Sequence, residues 1–217
     1  METRTVEEYL EAIDIIGQAH SPVSTSVLAD YLEVSRASVS EMLSRLAEKE
    51  LIHYVPRKGA SLTQTGQDQV VSLNRRHRLW EVFLHQHLNI PWEDVYREAC
   101  ALEHVTSELV TERLAKFLDD PQVCPHGWPI PDSRHSINDL PPTPISALDV
   151  GQSGKITYIT KSWDPNLLHH LGKLGLLPGT EFKILDKSAF DGTLSIEING
   201  QAKSLGAETA TFVMVEV

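Results

Sequence analysis

Residues 23–66, VSTSVLADYLEVSRASVSEMLSRLAEKELIHYVPRKGASLTQTG, contain two short helix-forming segments separated by a tight turn and followed by two short β-prone runs. Ser24 or Thr25 can cap the first helix and Ser35 the second, because a hydroxyl there accepts a hydrogen bond from a free amide of the first helical turn. Two short helices joined by a brief turn form a helix-turn-helix, and the runs around Arg57-Lys58-Gly59 predict the β-hairpin called a wing. We therefore expect a winged helix-turn-helix domain over residues 1–73.

The second helix of this motif is typical of a recognition helix that lies in the major groove of DNA. Small polar side chains dominate its first turns, so we expect few strong base contacts and a contribution from DNA shape. Five basic residues outnumber three acidic ones between positions 34 and 63, although the whole chain has a net charge of −11. The alternative is a winged helix that contacts protein, but the wing beside a small-residue helix favours DNA. The candidate DNA-binding residues are Ser35, Arg36, Ala37, Ser38, Ser40, Glu41, Arg45, Arg57 and Lys58.

The rest of the chain predicts a helical domain, a linker and a β domain. Residues 74–131 form a helical unit in which Ser107 can begin a new helix. Prolines crowd positions 121–144, which predicts an ordered loop and then a linker over 132–147. From there the apolar pattern has a period of two, and "DG" at 191–192 and "NG" at 199–200 predict hairpins. We expect a mainly α protein with a small C-terminal β-barrel over residues 148–217.

Three predicted helices carry side chains that bind metals, at spacings of three or four residues that place them on one helical face. Each pair alone fits a solvated face, a surface ion pair or, for the thiol, a small buried hydrophobe. A Cys–His enzyme would need an oxyanion hole and a cleft that no motif announces, whereas a divalent ion needs only converging ligands. We therefore favour a metal site and expect no enzymatic activity. The residues are Glu8, Glu11, His77, Glu81, Cys100, Glu103 and His104.

Composition limits where such a protein acts. The apolar runs are too short to span a bilayer, and the acidic N-terminus lacks the features of a signal peptide. Two cysteines are too few for a disulfide framework. We expect a cytoplasmic protein with reduced thiols and no membrane partner.

Several blocks of the sequence carry a resemblance to a known family. "TVEEYLEAI", "LADYLEVSRASVSEMLSRLAEKELI", "RRHRLWEVFL", "EACALEHVTSELVTERL" and "CPHGWPIP" resemble the diphtheria toxin repressor family of iron- and manganese-dependent repressors. The segment "GKLGLLPGTEFKIL" resembles the SH3-like domain of many members, which is also found in ferrous-iron transport accessory proteins. The resemblance implies a homodimer, paired through residues 74–131, that needs metal to bind operator DNA tightly.

The resemblance also implies two metal sites per subunit. The primary site falls on Glu8, Cys100, Glu103 and His104. Iron-sensing relatives have Met where this chain has Glu8, so the added carboxylate favours Mn(II), while the retained thiol keeps Fe(II) as the alternative. In some manganese relatives the second ion lies beside the first and uses the positions of Glu11 and His77. For a separate ancillary site we expect His77, Glu81, Cys124, His126 and Asp164, with Tyr96 standing where iron-sensing relatives have a histidine.

We therefore expect a metal-dependent repressor of metal-homeostasis genes, activated by Mn(II) in preference to Fe(II). Two further function classes stay open at this stage. A metal-dependent hydrolase would need an open coordination position and a substrate pocket. A helix-turn-helix regulator that senses an organic ligand would use the Glu/His face only structurally.

Overall fold

The structure, a computed structural model, describes residues 2–17, 20–132 and 143–217 and divides into two compact units, Met1–Arg75 and Arg76–Val217. Within the described ranges, no helix combines the length and apolar character needed to cross a membrane. The helices are α1 (Glu2–Gly17), α2 (Thr25–Tyr31), α3 (Arg36–Glu48), α4 (Gln64–Leu88), α5 (Val95–Glu103), α6 (Glu108–Phe117), α7 (Pro165–Leu174) and α8 (Ala207–Ala210). The strands are β1 (Ile52–Val55), β2 (Gly59–Leu62), β3 (Thr143–Pro144), β4 (Ser153–Ile159), β5 (Glu181–Lys187), β6 (Leu194–Ile198), β7 (Gln201–Leu205) and β8 (Val213–Glu216).

The first unit contains the predicted winged helix-turn-helix. Ser24 caps α2 and Ser35 caps α3, each through its side-chain oxygen. β1 and β2 pair as an antiparallel hairpin, and the bridge between Val23 and Ala60 adds a third segment to it. Gly59 has φ +119°, and a Cβ there would lie 2.5 Å from the carbonyl oxygen of Val23, so only glycine fits this close approach. The wing is therefore fixed to the chain that precedes α2.

The division between the two units falls within α4, the long helix predicted after the wing. Thr63 caps α4 by accepting a hydrogen bond from the amide of Gly66 at 3.1 Å. In the second unit, Ser107 caps α6 as predicted. The end of α5 is fixed to α4, because Trp80 Nε1 donates to Thr106 Oγ1 at 2.7 Å. These contacts set the distance between the metal-ligand faces of α4 and α5.

The C-terminal domain is a six-stranded antiparallel sheet in the order β3-β8-β4-β5-β6-β7, with α7 packed on its core. Asn199 and Gly200 have φ values of +51° and +74°, which is the type I′ geometry that "NG" predicts for the β6–β7 turn. The barrel prediction is wrong in one respect: within the described residues the sheet is open, with β3 and β7 at its edges.

The predicted linker is shorter than expected at its C-terminal end. Thr143 and Pro144 pair with β8, and the 3-10 turn Ile145–Ala147 buries Ile145 completely in the sheet's core. Residues 143–147 therefore belong to the β domain, which begins before residue 148. The rest of the predicted linker, 133–142, lies outside the described residues.

The proline-rich loop at 121–131 packs against β4 within the second unit. The amide of Ile159 donates to the carbonyl of His126 at 3.1 Å, and Trp128 Nε1 donates to the carbonyl of Ile159 at 2.9 Å. Gly127 has φ +85°, and a Cβ there would lie 1.9 Å from the carbonyl oxygen of Thr157. The loop is therefore held by main-chain contacts to the β domain.

Candidate metal centres

A first cluster of ligand-type side chains forms where α5 faces α4. Cys100 and Glu103 lie three residues apart on α5, so they share one face, and His77 of α4 projects towards them. His77 Nδ1 lies 2.6 Å from Glu103 Oε2 and 3.9 Å from Cys100 Sγ. His104 Nε2 lies 3.2 Å from Glu103 Oε1. We call Cys100, Glu103, His104 and His77 the first centre.

A second cluster lies one turn further along α4. Glu81 is four residues after His77, and the proline-rich loop brings Cys124 and His126 to it. One ligand atom from each of Glu81, Cys124 and His126 lies within 4.8 Å of the others, and all three side chains are buried. A cleft of about 470 Å³ beside β4 reaches Cys124. We call these three residues the second centre.

The hydrogen bonds of His126 leave one ring nitrogen directed at a carboxylate. His126 Nε2 lies 2.8 Å from the carbonyl oxygen of Trp92, and because a carbonyl only accepts, Nε2 carries a proton. Nδ1 lies 2.8 Å from Glu81 Oε1. Nδ1 is therefore the nitrogen that faces Glu81, and a cation placed between the two groups would be stabilised by both.

His77 connects the two centres. Its Nδ1 contacts Glu103, and its Nε2 lies 3.2 Å from Glu81 Oε1. Burial lowers the pKa of His77, but the charge of Glu81 and the hydrogen bond to Glu103 outweigh burial and place that pKa well above its ordinary value. Burial raises the pKa of Glu81, but the adjacent His126 and His77 hold it well below the usual range. At neutral pH without metal, protonated imidazole therefore compensates the buried carboxylates.

The donor atoms fit a divalent transition ion. His77 Nε2 and Glu103 Oε1 are buried and make no hydrogen bond, although Glu81 and His104 respectively lie 3.2 Å away, because those contacts are misaligned. Coordination would satisfy both atoms, whereas leaving a buried polar atom unsatisfied costs about 1–3 kcal/mol. Thiol, imidazole and carboxylate are ligands that Mn(II), Fe(II) and Zn(II) accept to different degrees. Burial, with the charge of Glu81, raises the pKa of the Cys124 thiol well above its ordinary value, so an ion must displace a proton there.

Not every predicted ligand joins these clusters. The carboxylate of Asp164 caps α7, accepting from the amides of Asn166 and Leu167, and pairs with Lys161 Nζ at 3.1 Å. The structure thus does not bring Asp164 into the second centre, because the helix cap uses its oxygens. His77, predicted for the ancillary site, also contacts the first centre. Tyr96 stacks on the ring of His77, with centroids 4.6 Å apart.

Glu8 and Glu11 lie on α1 in the first unit. Glu8 accepts a hydrogen bond from Arg4 Nε at 2.9 Å. Their role as ligands stays a prediction of the resemblance.

The candidate DNA-binding residues lie at the cap of α3, along α3 and in the turn of the wing. Of these residues, all but the half-buried Ser40 are exposed. Ser35 Oγ lies 2.8 Å from Ser38 Oγ and also caps the helix by accepting from the amide of Ser38, so both hydroxyls are already partly used in hydrogen bonding. The exposed methyl group of Ala37 suits contact with a thymine methyl, and the exposed cations of Arg57 and Lys58 on the wing suit phosphates.

Sequence reasoning missed the parts of the site that involve backbone atoms. The contact of the Trp92 carbonyl with His126 and the close approach of Gly127 to β4 involve main-chain atoms, so no pattern of side chains in the sequence predicts them. Nothing in the sequence indicated that Arg78 would donate to the carbonyl of Pro129 at 2.5 Å and so hold the proline-rich loop on α4. The one available signal was "CPHG" itself, where glycine follows a ligand-type residue directly.

Three family models match the chain. The model described as "Iron dependent repressor, N-terminal DNA binding domain" matches residues 1–60. "Iron dependent repressor, metal binding and dimerisation domain" matches residues 63–132, the part that holds α5, α6 and the proline-rich loop. The model "FeoA domain" matches residues 143–217.

Individual relatives agree with these matches. The chain is 38% identical over 128 residues to the iron-dependent repressor IdeR of Mycobacterium leprae, a region that is 58% of this chain and 55% of that protein. It is 29% identical over 221 residues to the diphtheria toxin repressor of Corynebacterium efficiens, which covers 98% of this chain and 95% of that protein. Among solved structures, it is similar to a manganese-dependent transcriptional repressor in complex with manganese, with a TM-score of 0.88, 30% identity, and coverage of 97% and 98% of the two chains.

Proposed function

The chain belongs to the diphtheria toxin repressor family, and we propose that it is itself a repressor that binds operator DNA when a divalent metal is bound. The observation that carries this proposal is the pair of buried ligand clusters joined by His77. Two of their ligand atoms, His77 Nε2 and Glu103 Oε1, are buried without a hydrogen bond, and a bound cation would satisfy them. The genes it controls would be those of metal-ion homeostasis, and it would act in the cytoplasm.

We propose Mn(II) as the activating ion. Support comes from Glu8, which supplies a carboxylate where iron-sensing relatives have Met, and from the similarity to a solved repressor that is described as manganese-dependent. The specific observation that favours the alternative, Fe(II), is the thiol in each centre, since thiolates prefer softer ions. We propose two ions per subunit, one at each centre.

A metal ion would act by replacing protons and by fixing the ligand-bearing segments. It would supply positive charge to Glu103 and Glu81, and so lower the repulsion among the buried carboxylates. The resemblance also predicts Glu8 as a ligand of the first centre. Regulation requires that the ion bind the DNA-competent arrangement more tightly than the other arrangements of the protein.

Operator binding would use a homodimer. Large apolar side chains on α6 and the turn before it are exposed, with Val105 at 80%, Leu109 at 68% and Phe117 at 61% exposure. Large apolar side chains exposed together in one short segment suit a protein interface, and the segment lies in the region matched by the dimerisation-domain model. A two-fold pair of recognition helices reads half-sites one helical turn of DNA apart, about 34–36 Å.

An anaerobic gel shift on an upstream DNA fragment, with Mn(II), Fe(II) and Zn(II) titrated separately, tests the proposal. The wild type should bind DNA tightly only with metal, and saturating Mn(II) should give tighter DNA binding than saturating Fe(II) or Zn(II) if the ion assignment is right. Glu103→Ala should abolish the metal dependence, because Glu103 contacts both His77 and His104. Glu98→Ala is the matched control on the same helix, since Glu98 is exposed and pairs with Arg97. Unchanged metal stimulation in Glu103→Ala would refute the proposal.

A further inference from the structure

We propose that Trp92 is a positioning residue through which the C-terminal β domain shapes the second centre. Its carbonyl selects the tautomer of His126, and its indole ring is held in place by α7. This inference rests on the proposed role of Glu81, Cys124 and His126 as metal ligands, and it adds a residue that offers no ligand atom itself.

The carbonyl of Trp92 determines which nitrogen of His126 is available. The 2.8 Å contact requires a proton on Nε2, which leaves Nδ1 as the nitrogen directed at Glu81. A metal-binding histidine typically donates its other N–H to a carbonyl or carboxylate, and loss of such a partner typically weakens metal affinity about 10–100-fold. Since His126 is fully buried, no solvent molecule at the surface can replace this acceptor without rearrangement of the loop.

The ring of Trp92 is held by the C-terminal domain. It packs against the hydrophobic core of the sheet, and its centroid lies 5.4 Å from that of His126. On α7, a Cβ at Gly172 would lie 3.1 Å from the indole Nε1. His169, one turn earlier on the same helix, contacts the carboxylate of Glu93 at 3.3 Å. The segment containing Trp92 is thus in contact with the face of α7 that carries His169 and Gly172.

The glycine at position 172 allows this contact to be tested by a substitution on α7, outside the second centre. Gly172 lies inside α7, where alanine would ordinarily favour the helix. An alanine methyl would instead press on the Trp92 ring, and the ring must then move by a few tenths of an ångström. That movement would shift the Trp92 carbonyl away from His126. A substitution on a different domain should therefore weaken the second centre.

The experiment uses Co(II) as the probe and the full chain carrying Cys100→Ser as the parent. The chain has two cysteines, so in this parent any thiolate-to-cobalt charge-transfer band reports Cys124 alone. Gly172→Ala should weaken the Co(II) affinity measured from this band about 10–100-fold and shift the d–d bands that report coordination geometry. Gly206→Ala is the matched control, because a Cβ there meets nothing within 4 Å.

Two tryptophan variants keep the inference open to refutation if Gly172→Ala fails to fold. Trp92→Ala should weaken the charge-transfer titration in the same way, and Trp92→Phe, which retains a ring in contact with α7, should restore most of the affinity. A purely structural role of Trp92 would lower the thermal stability but leave the affinity and the d–d bands of the folded protein unchanged, and that result would overturn the inference. Absence of the band in the parent would overturn the second centre itself, and with it this role of Trp92.

Discussion

Replacing Glu81 by Gln separates the metal contribution of the second centre from its contribution to the fold. Glu81 is 1% exposed, and its Oε1 lies 2.8 Å from His126 Nδ1. The glutamine amide keeps the shape of the side chain and can donate to Nδ1 of a neutral His126, whose Nε2 still donates to Trp92. Metal-free Glu81→Gln should therefore fold, with a change in unfolding free energy on the order of 1–3 kcal/mol from the altered buried hydrogen bonds.

The metal-dependent part of the stability should fall by about half. An ion at a concentration 100 times its Kd stabilises the folded state by about 2.7 kcal/mol per site, so two centres contribute about 5.4 kcal/mol. For a chain of this size, 1 kcal/mol shifts Tm by about 2–4 °C, which gives a metal-induced rise of about 11–22 °C in the wild type. Glu81→Gln, with one centre left, should show a rise of about 5–11 °C.

Calorimetric unfolding with and without Mn(II), at protein concentrations kept constant, measures both quantities. Glu98→Gln on α5 is the matched control, because the Glu98 side chain is 46% exposed and pairs with Arg97. The control should retain the full metal-induced rise. A full rise in Glu81→Gln as well would show that Glu81 does not bind the ion, and the second centre would have to be abandoned.

Three other predictions test the loop, the interface and the protons. Gly127→Ala should lower the unfolding free energy by more than about 1 kcal/mol in chemical denaturation, because φ is +85° and the new Cβ would meet the carbonyl of Thr157. An unchanged unfolding free energy would contradict the packing of the loop on β4. Leu109→Asp should convert the proposed dimer to a monomer in analytical ultracentrifugation, because it places a charge among the exposed apolar side chains of α6; a dimer that persists in this variant would move the interface elsewhere. Metal affinity should rise with pH, by about tenfold per pH unit for each proton displaced. The reason is that the raised pKa of Cys124 and of His77 keeps both groups protonated at neutral pH before the ion binds. Isothermal titration calorimetry in buffers of different ionisation enthalpy tests this, because equal binding heats would show that no proton is released.

Local signals explain the parts of the fold that the sequence predicts well. Ser24, Ser35 and Ser107 cap helices because the cap is a contact between residues three apart. Asn199-Gly200 forms its turn because both residues tolerate positive φ. Each of these choices depends on a few neighbouring residues, so one sequence suffices to make it.

The parts that were missed depend on partners distant in sequence. Whether a sheet closes is decided by its edge strands, and β3 joins β8 from a segment whose prolines suggested only a linker. Asp164 precedes a helix beginning with proline, a position that suits a cap as well as a ligand, and the local cap is what the structure shows. The carbonyl of Trp92 acts through the backbone, so the identity of the side chain carries no sign of it.

Two buried atoms without hydrogen bonds, one facing each centre, offer a reason why a fold would keep so polar a core. His77 Nε2 and Glu103 Oε1 each leave a hydrogen bond unmade in the interior, at a cost of about 1–3 kcal/mol per atom. An apolar core of the same volume would avoid that cost but would bind nothing. Ions bound at the two centres would recover this free energy only in the bound state, so the cost would be converted into affinity for metal. If the proposed ions bind, the metal-free protein would be less stable than its fold allows, and the difference would be available to bias the protein towards the arrangement that binds the ion best.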